Sequence, residues 1–366
     1  MRKLFYALAA LIPAAALVGA ACFGMVLVIG ARAATVCTPT GFFRDAINLT
    51  AAVIDPPGTY TAVLNASPCN IGVYYSPGAK GTISNSEIYG ANYFGVVNNG
   101  GKVTIKHSFI HDIGEMPFNG TQHGVGIYFA YNSGATGSIT NNRVTRYQKG
   151  GIAVTGLGDS AQITGNTVIG LGPVNFIAQN GIELGAGAKG SITNNNVSNN
   201  SYTGPGGASS GGILLFGGSC YSEALQVKTN ITGNTVTNND VGVWSSNLDV
   251  DPNNPGNCLW PTHPTNNYMA RNTSSDDAVT NTTGAGTFAY QAAISDQGNG
   301  DRIIDNKMCG VGYTPTTTQP YLYQIDIQYA VNVTVKDNTT CGVSSNQDSH
   351  TATRQAMIHT YASILR

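Results

Sequence analysis

A seven-residue phrase that recurs along most of the chain leaves few folds open. Ser138-Ile139-Thr140-Asn141-Asn142-Arg143-Val144 returns as Gln162-Ile163-Thr164-Gly165-Asn166-Thr167-Val168. It returns again as Ser191-Ile192-Thr193-Asn194-Asn195-Asn196-Val197 and as Asn230-Ile231-Thr232-Gly233-Asn234-Thr235-Val236. Looser copies sit at Ile83, Ile105, Met269, Ile303 and Val335, so nine apolar anchors recur at intervals of 22, 34, 24, 29, 39, 38, 34 and 32 residues. A short phrase kept while its spacing varies predicts stacked coils joined by loops of unequal length.

The third position after each anchor holds Ser86, Ser108, Asn142, Asn166, Asn195, Asn234, Asn272, Asn306 and Asn338. Asparagine tolerates the left-handed backbone of a tight turn, and its amide can bond to the same group one coil away. The spacing therefore predicts an asparagine ladder with its own turn. An apolar residue follows at position five in the first six coils, from Ile88 and Ile110 to Val236, and points back inside. A second phrase has Gly followed by alternating apolar residues, as in Gly124-Val125-Gly126-Ile127 and Gly181-Ile182-Glu183-Leu184. Its period of two predicts a strand with one buried face. Strand, Asn turn, strand, loop, strand is one turn of a parallel β-helix.

On these phrases the chain resembles the right-handed parallel β-helix proteins, the pectate-lyase-like superfamily, over roughly residues 71–343. The resemblance implies an all-β, single-stranded solenoid of about nine coils. Residues 34–70 lack the repeat and are expected to cap the strand edges, with Thr40 to Leu49 supplying an apolar helical face. Residues 71–345 form the β-helix, and 346–366 a second cap or a tail. Residues 1–33 read as a secretory signal cut after Ala33; the apolar run from Leu4 to Gly30 is long enough to be an uncleaved anchor instead.

Removing residues 1–33 removes three basic and no acidic residues and takes the net charge from −1 to −4. Such a chain has no general attraction to nucleic acid or anionic lipid. A secreted monomer acting on polysaccharide is the expected setting, with no membrane partner unless the N-terminal segment is retained. Six cysteines remain. Cys309 and Cys341 stand six residues after their anchors, and Cys220 and Cys258 stand 28 and 27 after theirs, which places each pair in one column of neighbouring coils. Cys37 and Cys69 are left to join near the N-terminal end. Three sequential disulfides are predicted, as suits an exported protein.

Chemistry is expected on the outward side of the Gly-phrase strands. If Val125, Ile152, Ile182, Ile213 and Val241 point in together, Glu183 lies mid-groove, with Tyr128, Phe216 and Trp244 as sugar-stacking surfaces. A second cluster holds His107, His111, Asp112, Glu115 and His123 in one coil, with Arg143, Arg146, Tyr147 and Lys149 in the next. Asp112 and Arg146 both stand seven residues after their anchors and are expected to pair. His123, Lys149 and Asn180 precede their Gly strands and share the mouth of the groove, accompanied by Gln122, Gln148 and Gln179.

Lyases of the superfamily abstract a proton beside a uronate carboxylate, and the carbanion needs charge stabilisation. The resemblance implies Lys149 as base and Tyr147 as acid, with His123, Arg146 and Asn180 around the carboxylate. Glu183, Gln179, Tyr128, Phe216 and Trp244 would complete the site. The Trp-x-Asp-His and Arg-x-Pro-x-x-Arg motifs of pectate lyases are absent, as are the Asn-Thr-Asp and Gly-His-Gly phrases of polygalacturonases. No cofactor is implied, and no Asp cluster or repeat motif supports calcium. Three readings follow: a lyase or other carbohydrate-active enzyme on an acidic glycan, a non-catalytic glycan-binding or cell-surface module, and a metal-handling periplasmic accessory protein. The last requires convergence of His107, His111 and His123.

Overall fold

Each coil contributes three short strands, and equivalent strands of successive coils pair in parallel. The computed structural model describes residues 35–205, 207–281, 289–341 and 347–348. The expected leader and most of the expected C-terminal cap or tail lie outside the described residues. Sheet A has 12 strands, among them Val125–Phe129, Gly150–Thr155, Asn180–Gly185, Gly211–Gly217 and Val241–Asn247. Sheet B has 10 strands and carries the anchors, with Ile105, Ile139, Ile163 and Ile192 in register. Sheet C has 10 strands and carries the position-five residues, with Ile110, Val144, Val168 and Val197 in register. These columns and the inward residues of sheet A (Val96, Ile127, Ile152, Ile182, Ile213 and Val243) form one continuous buried core.

Between sheets B and C the chain turns on two consecutive residues with separate tasks. The left-handed backbone falls one place earlier than the asparagine column, at position two. It is taken by Asn85, His107, Asn141, Asn194, Arg271, Asp305 and Asp337 at φ between 49° and 56°, and by Gly165 and Gly233 at 69°. The position-three asparagine is thereby turned inward. Asn166 donates through Nδ2 to Asn195 Oδ1 at 3.0 Å and to the carbonyl of Ile139 at 2.8 Å, while its backbone N–H donates to the same Asn195 oxygen at 2.9 Å. The pattern repeats from Asn142 to Asn306, and Asn338 ends the described ladder by donating to the carbonyl of Ile303. Each buried amide is thus spent on neighbouring coils, which is the condition for burying it at all.

The glycine that opens the sheet A phrase is fixed by distance. A Cβ on Gly181 would lie 2.3 Å from Val197 Cγ1 and 2.6 Å from the carbonyl oxygen of Gly212. Gly151 and Gly212 meet the same pair of obstacles one coil to either side. The glycine column of sheet A thus packs directly against the valine column of sheet C.

Coil structure begins earlier than expected: Thr59–Tyr60 and Val63–Asn65 already pair with Lys80–Ser84 and Glu87–Tyr89, giving ten coils among the described residues. The expected helical face over Thr40 to Leu49 is a β-hairpin of Thr38–Arg44 and Ile47–Ile54, turning at Asp45 and Ala46, whose φ values are 50° and 62°. Phe42 packs within 6.2 Å of Tyr74 and 6.3 Å of Phe94, ring centre to ring centre, on the outer side of sheet A. The hairpin is tied at its base by Cys37–Cys69. Cys220–Cys258 and Cys309–Cys341 complete the three predicted disulfides, with Cα–Cα separations of 5.4, 5.8 and 4.8 Å.

The ladder predicts a sharp contrast between adjacent asparagines. Asn195→Ala leaves the donors of Asn166 and the carbonyl of Ile163 unmatched and should cost about 3 kcal/mol or more in urea unfolding. Asn196→Ala, at the exposed first position of the strand that follows, should change stability by less than about 0.5 kcal/mol.

Candidate functional site

The outward row of sheet A differs in register from the sequence expectation. Ile127, not Val125, aligns with Ile152, and Val243, not Val241, aligns with Ile213. Tyr128, Ala153, Glu183, Leu214 and Trp244 therefore form a single row, and Phe216 stands in the next row, between Gly185 and Ser246. Matching on the isoleucine, the larger core residue, overrides matching on the first valine after the glycine.

That row is covered rather than open. Tyr128 is fully buried, stacked on Phe94 at 4.9 Å and packed with Tyr74, Tyr93, Val97 and the hairpin residue Phe42. Phe216 and Trp244 belong to a second apolar cluster with Leu214, Val241, Ala292 and Tyr323, into which Tyr221 and Tyr290 pack. The three aromatics expected to stack on sugars instead pack on protein.

Between the two clusters lies a polar island. Lys149 and Glu183 are 4% exposed and Asn180 is 2% exposed. The Lys149 ammonium donates to the carbonyl of Ala178 at 2.9 Å. Asn180 donates through Nδ2 to Glu183 Oε2 at 3.2 Å, and its Oδ1 accepts from the backbone N–H of Gly211. Burial lowers the Lys149 amine to about 8, against the pull of the Glu183 charge. Burial likewise raises the Glu183 carboxyl, against the opposing effects of Lys149 and the Asn180 hydrogen bond.

The remaining predicted site residues do not join it. Tyr147 lies inside the solenoid and donates to Asn200 Oδ1 at 2.6 Å, and burial drives its hydroxyl upward. The cause is local: Arg146 takes φ 51°, which turns the chain and swings Tyr147 inward while Arg146 stays exposed. Arg146 pairs with Asp112 and lies over the Phe118 ring at 5.9 Å. Gln179 is fully buried, donating to the carbonyls of Tyr147 and Gln148 and accepting from the backbone N–H of Leu171. His123 is stacked on Tyr93 at 3.8 Å and bonded to Glu115 at 2.9 Å, with the hairpin's Asp45 at 4.0 Å. His107 sits in the Asn turn beside Asn141, and His111 is pinned elsewhere, so the three histidines do not converge. Among the described residues no three His, Cys, Asp or Glu side chains are placed to hold a metal ion.

An accessible constellation does exist on the outer face of sheet C. Glu87, Phe109 and Arg143 are cross-strand neighbours four residues after their anchors, and Tyr89 and His111 follow two places on. The His111 ring stacks between Tyr89 at 5.1 Å and Phe109 at 4.1 Å, and its nitrogens meet Glu87 at 3.1 Å and Asp112 at 2.6 Å. Arg143 projects over Phe109 at 5.7 Å. A shallow groove lined by Val63, Asn85, Glu87, His107, Phe109 and Arg143 runs beside it. Sequence reasoning singled out His111 and Arg143 but not Phe109, Tyr89 or Glu87. Counting four and six residues from Ile83 and Ile105 would have found all three.

Residues 62–226 match the family model described as right handed beta helix region. The chain is a right-handed parallel β-helix. No curated protein matches it. Among solved structures, the Dettilon tailspike protein (gp208) is similar at 14% identity over 77% of this β-helix chain and 60% of the tailspike chain, with a TM-score of 0.37. The β-helix chain thus spans less than two thirds of the tailspike's length, and a likeness at that level has no bearing on function.

Buried acids further along the solenoid impose a pH dependence. Burial raises Asp240 to about 8 and Asp276 to about 7, from an ordinary value of 3.8. Between pH 4 and 8 the folded chain holds protons that the unfolded chain has lost, so stability falls as pH rises. The urea midpoint should be higher at pH 5 than at pH 8. Asp240→Asn, which keeps an acceptor for the N–H groups of Tyr202 and Ser210, should shrink that difference.

Proposed function

We propose that this β-helix is an exported module that binds an acidic glycan on the outer face of sheet C and does not cleave it. The observation that carries the reading is the Tyr89–His111–Phe109 stack. It is a ring platform on a solvent-facing strand surface, flanked by the cation Arg143 and the carboxylate Glu87. Aromatic faces take the apolar side of a pyranose ring, and an arginine fork matches a carboxylate or sulfate in two hydrogen bonds. Outward positions of sheet C at four residues past the anchor recur once per coil, a repeat that suits a polymer lying along the solenoid axis. Three disulfides fit an oxidising compartment outside the cytosol.

Elimination on a uronate is less well supported. It needs a base and an acid that meet the polymer together, whereas Lys149 is covered and Tyr147 belongs to the core. The feature in its favour is the lowered Lys149 amine beside Glu183.

A single panel separates the two. Alginate, pectate and glycosaminoglycans are offered to the wild type, Phe109→Ala, Arg143→Ala and Lys149→Ala, with binding and the ultraviolet absorbance of unsaturated uronate both recorded. Binding without product is expected. Phe109→Ala and Arg143→Ala should each weaken it on the order of tenfold, or about 1.4 kcal/mol, while Lys149→Ala leaves it intact. Unsaturated product that vanishes in Lys149→Ala would establish a lyase and overturn the proposal.

A further inference from the structure

Lys149, Asn180 and Glu183 lie in two adjacent coils of sheet A, and the binding reading uses none of them. They are in close sequence register: Gly150 is the strand partner of Asn180, and the Asn180 backbone N–H bonds to the Lys149 carbonyl at 3.0 Å. The lysine side chain curls toward the same place, since its Nζ is 2.9 Å from the carbonyl of Ala178, two residues before Asn180. Glu183 completes the group by accepting from the Asn180 amide at 3.2 Å. All three are covered, and the apolar clusters around Tyr128 and Trp244 lie on either side.

We propose that these three residues form a self-catalysed isopeptide cross-link, joining Lys149 Nζ to Asn180 Cγ. The chemistry balances without any outside reagent. The lone pair of the neutral lysine amine attacks the amide carbon of Asn180, and a new Nζ–Cγ bond forms. The backbone N–H of Gly211, bonded to Asn180 Oδ1, polarises the carbonyl, while the protonated Glu183 carboxyl beside Nδ2 gives its proton to the leaving nitrogen and takes one from Nζ. The Cγ–Nδ2 bond then breaks and Nδ2 leaves as ammonia. The product is a secondary amide between neighbouring coils, and Glu183 is returned unchanged.

The surroundings favour each requirement. A lysine is a nucleophile only when uncharged, and a desolvated lysine loses its proton more readily. Burial moves the amine down and the carboxyl up, so an internal proton transfer yields neutral amine and neutral acid, the reactive pair. Exclusion of water protects the tetrahedral intermediate from hydrolysis. Forming the bond also abolishes the charge that Lys149 would otherwise carry in an apolar setting, which removes its desolvation cost.

Mass spectrometry of the exported full chain, reduced and denatured before digestion, tests the assignment. Trypsin cannot cut after an acylated lysine, and no Lys or Arg lies between Lys149 and Lys189. The cross-linked chain should therefore yield Tyr147 to Lys189 as one uncut peptide, lighter by one ammonia. Tandem fragmentation should place the loss in a ring closed between Lys149 and Asn180. Glu183→Gln and Lys149→Arg should each restore both the lost ammonia and the cut at residue 149. Complete cleavage at Lys149 with no mass deficit in the wild type would overturn the proposal. So would an ammonia loss accompanied by normal cleavage at Lys149, which marks a succinimide at Asn180-Gly181 and is opened by hydroxylamine. The wild-type measurement needs no variant to fold.

Discussion

Stacking of identical side chains across coils governs this molecule, and the asparagine ladder is its strictest instance. Each ladder amide accepts two hydrogen bonds from the coil before it and donates to the asparagine of the coil after it and to the anchor carbonyl of the coil before it. Removing a single rung strands donors on one neighbour and acceptors on another. The penalty is therefore set by the unmatched groups more than by the bonds lost. The turn geometry, the inward pointing of position three and the parallel register of sheets B and C all depend on that arrangement. Loop length does not enter it. Intervals from 22 to 39 residues coexist with one unchanged cross-section.

Because the interior columns are satisfied by repetition, variation is pushed to the outside, and there the two long faces differ. Sheet A turns aromatic and aliphatic residues outward, and the N-terminal hairpin lies over the first coils to cover them. Sheet C turns Glu87, Arg143, Thr167, Asn196 and Thr235 outward along one row, with the Tyr89, Phe109 and His111 platform among its first coils. Covering sheet A gives the solenoid a second apolar layer. A polar group caught in that layer must be neutralised or matched, and the Lys149–Glu183 pair and Asp240 show the strain in their shifted protonation. This asymmetry is the physical ground for placing recognition on sheet C.

Much of this was legible in the amino-acid order. The anchors, the position-three asparagines and the position-five valines mark sheets B and C without ambiguity, since each is a column of one residue type. The cysteines followed, because residues at equal distances from their anchors share a column and Cα atoms in adjacent coils lie within disulfide reach. Sheet A was harder. Its phrase offers two apolar residues around a glycine, Val125 and Ile127 for example, and a register chosen on the wrong one moves Trp244 by a row. Tyr147 was misplaced for a different reason. A left-handed residue inserted at Arg146 reverses the in-out alternation, and nothing about arginine announces that conformation. Gln179 looked like a binding group because polar residues near a strand mouth resemble one another in sequence. Only the structure shows its amide occupied by the Tyr147 and Leu171 backbone.

The same reversal explains why Asp112 and Arg146 meet. Both stand seven residues after their anchors, and so do Asn199 and Asn238, and all four take φ between 51° and 60°. A left-handed column at this corner throws position seven outward and draws position eight inward. Position eight is occupied by Tyr147, Asn200 and Asn239, which bond to one another inside the solenoid through the Tyr147 hydroxyl and the Asn200 amide. The fold thus contains a second, shorter polar ladder at the corner between sheets C and A, built on the same logic as the first. Where the corner residue outside is charged, as in the two coils that carry Asp112 and Arg146, the strain of a non-glycine left-handed residue is offset by an ion pair on the surface and a hydrogen-bonded column beneath. Those two coils are also the ones that present Phe109, His111 and Arg143. The corner that fixes the interior therefore fixes the position of the platform outside.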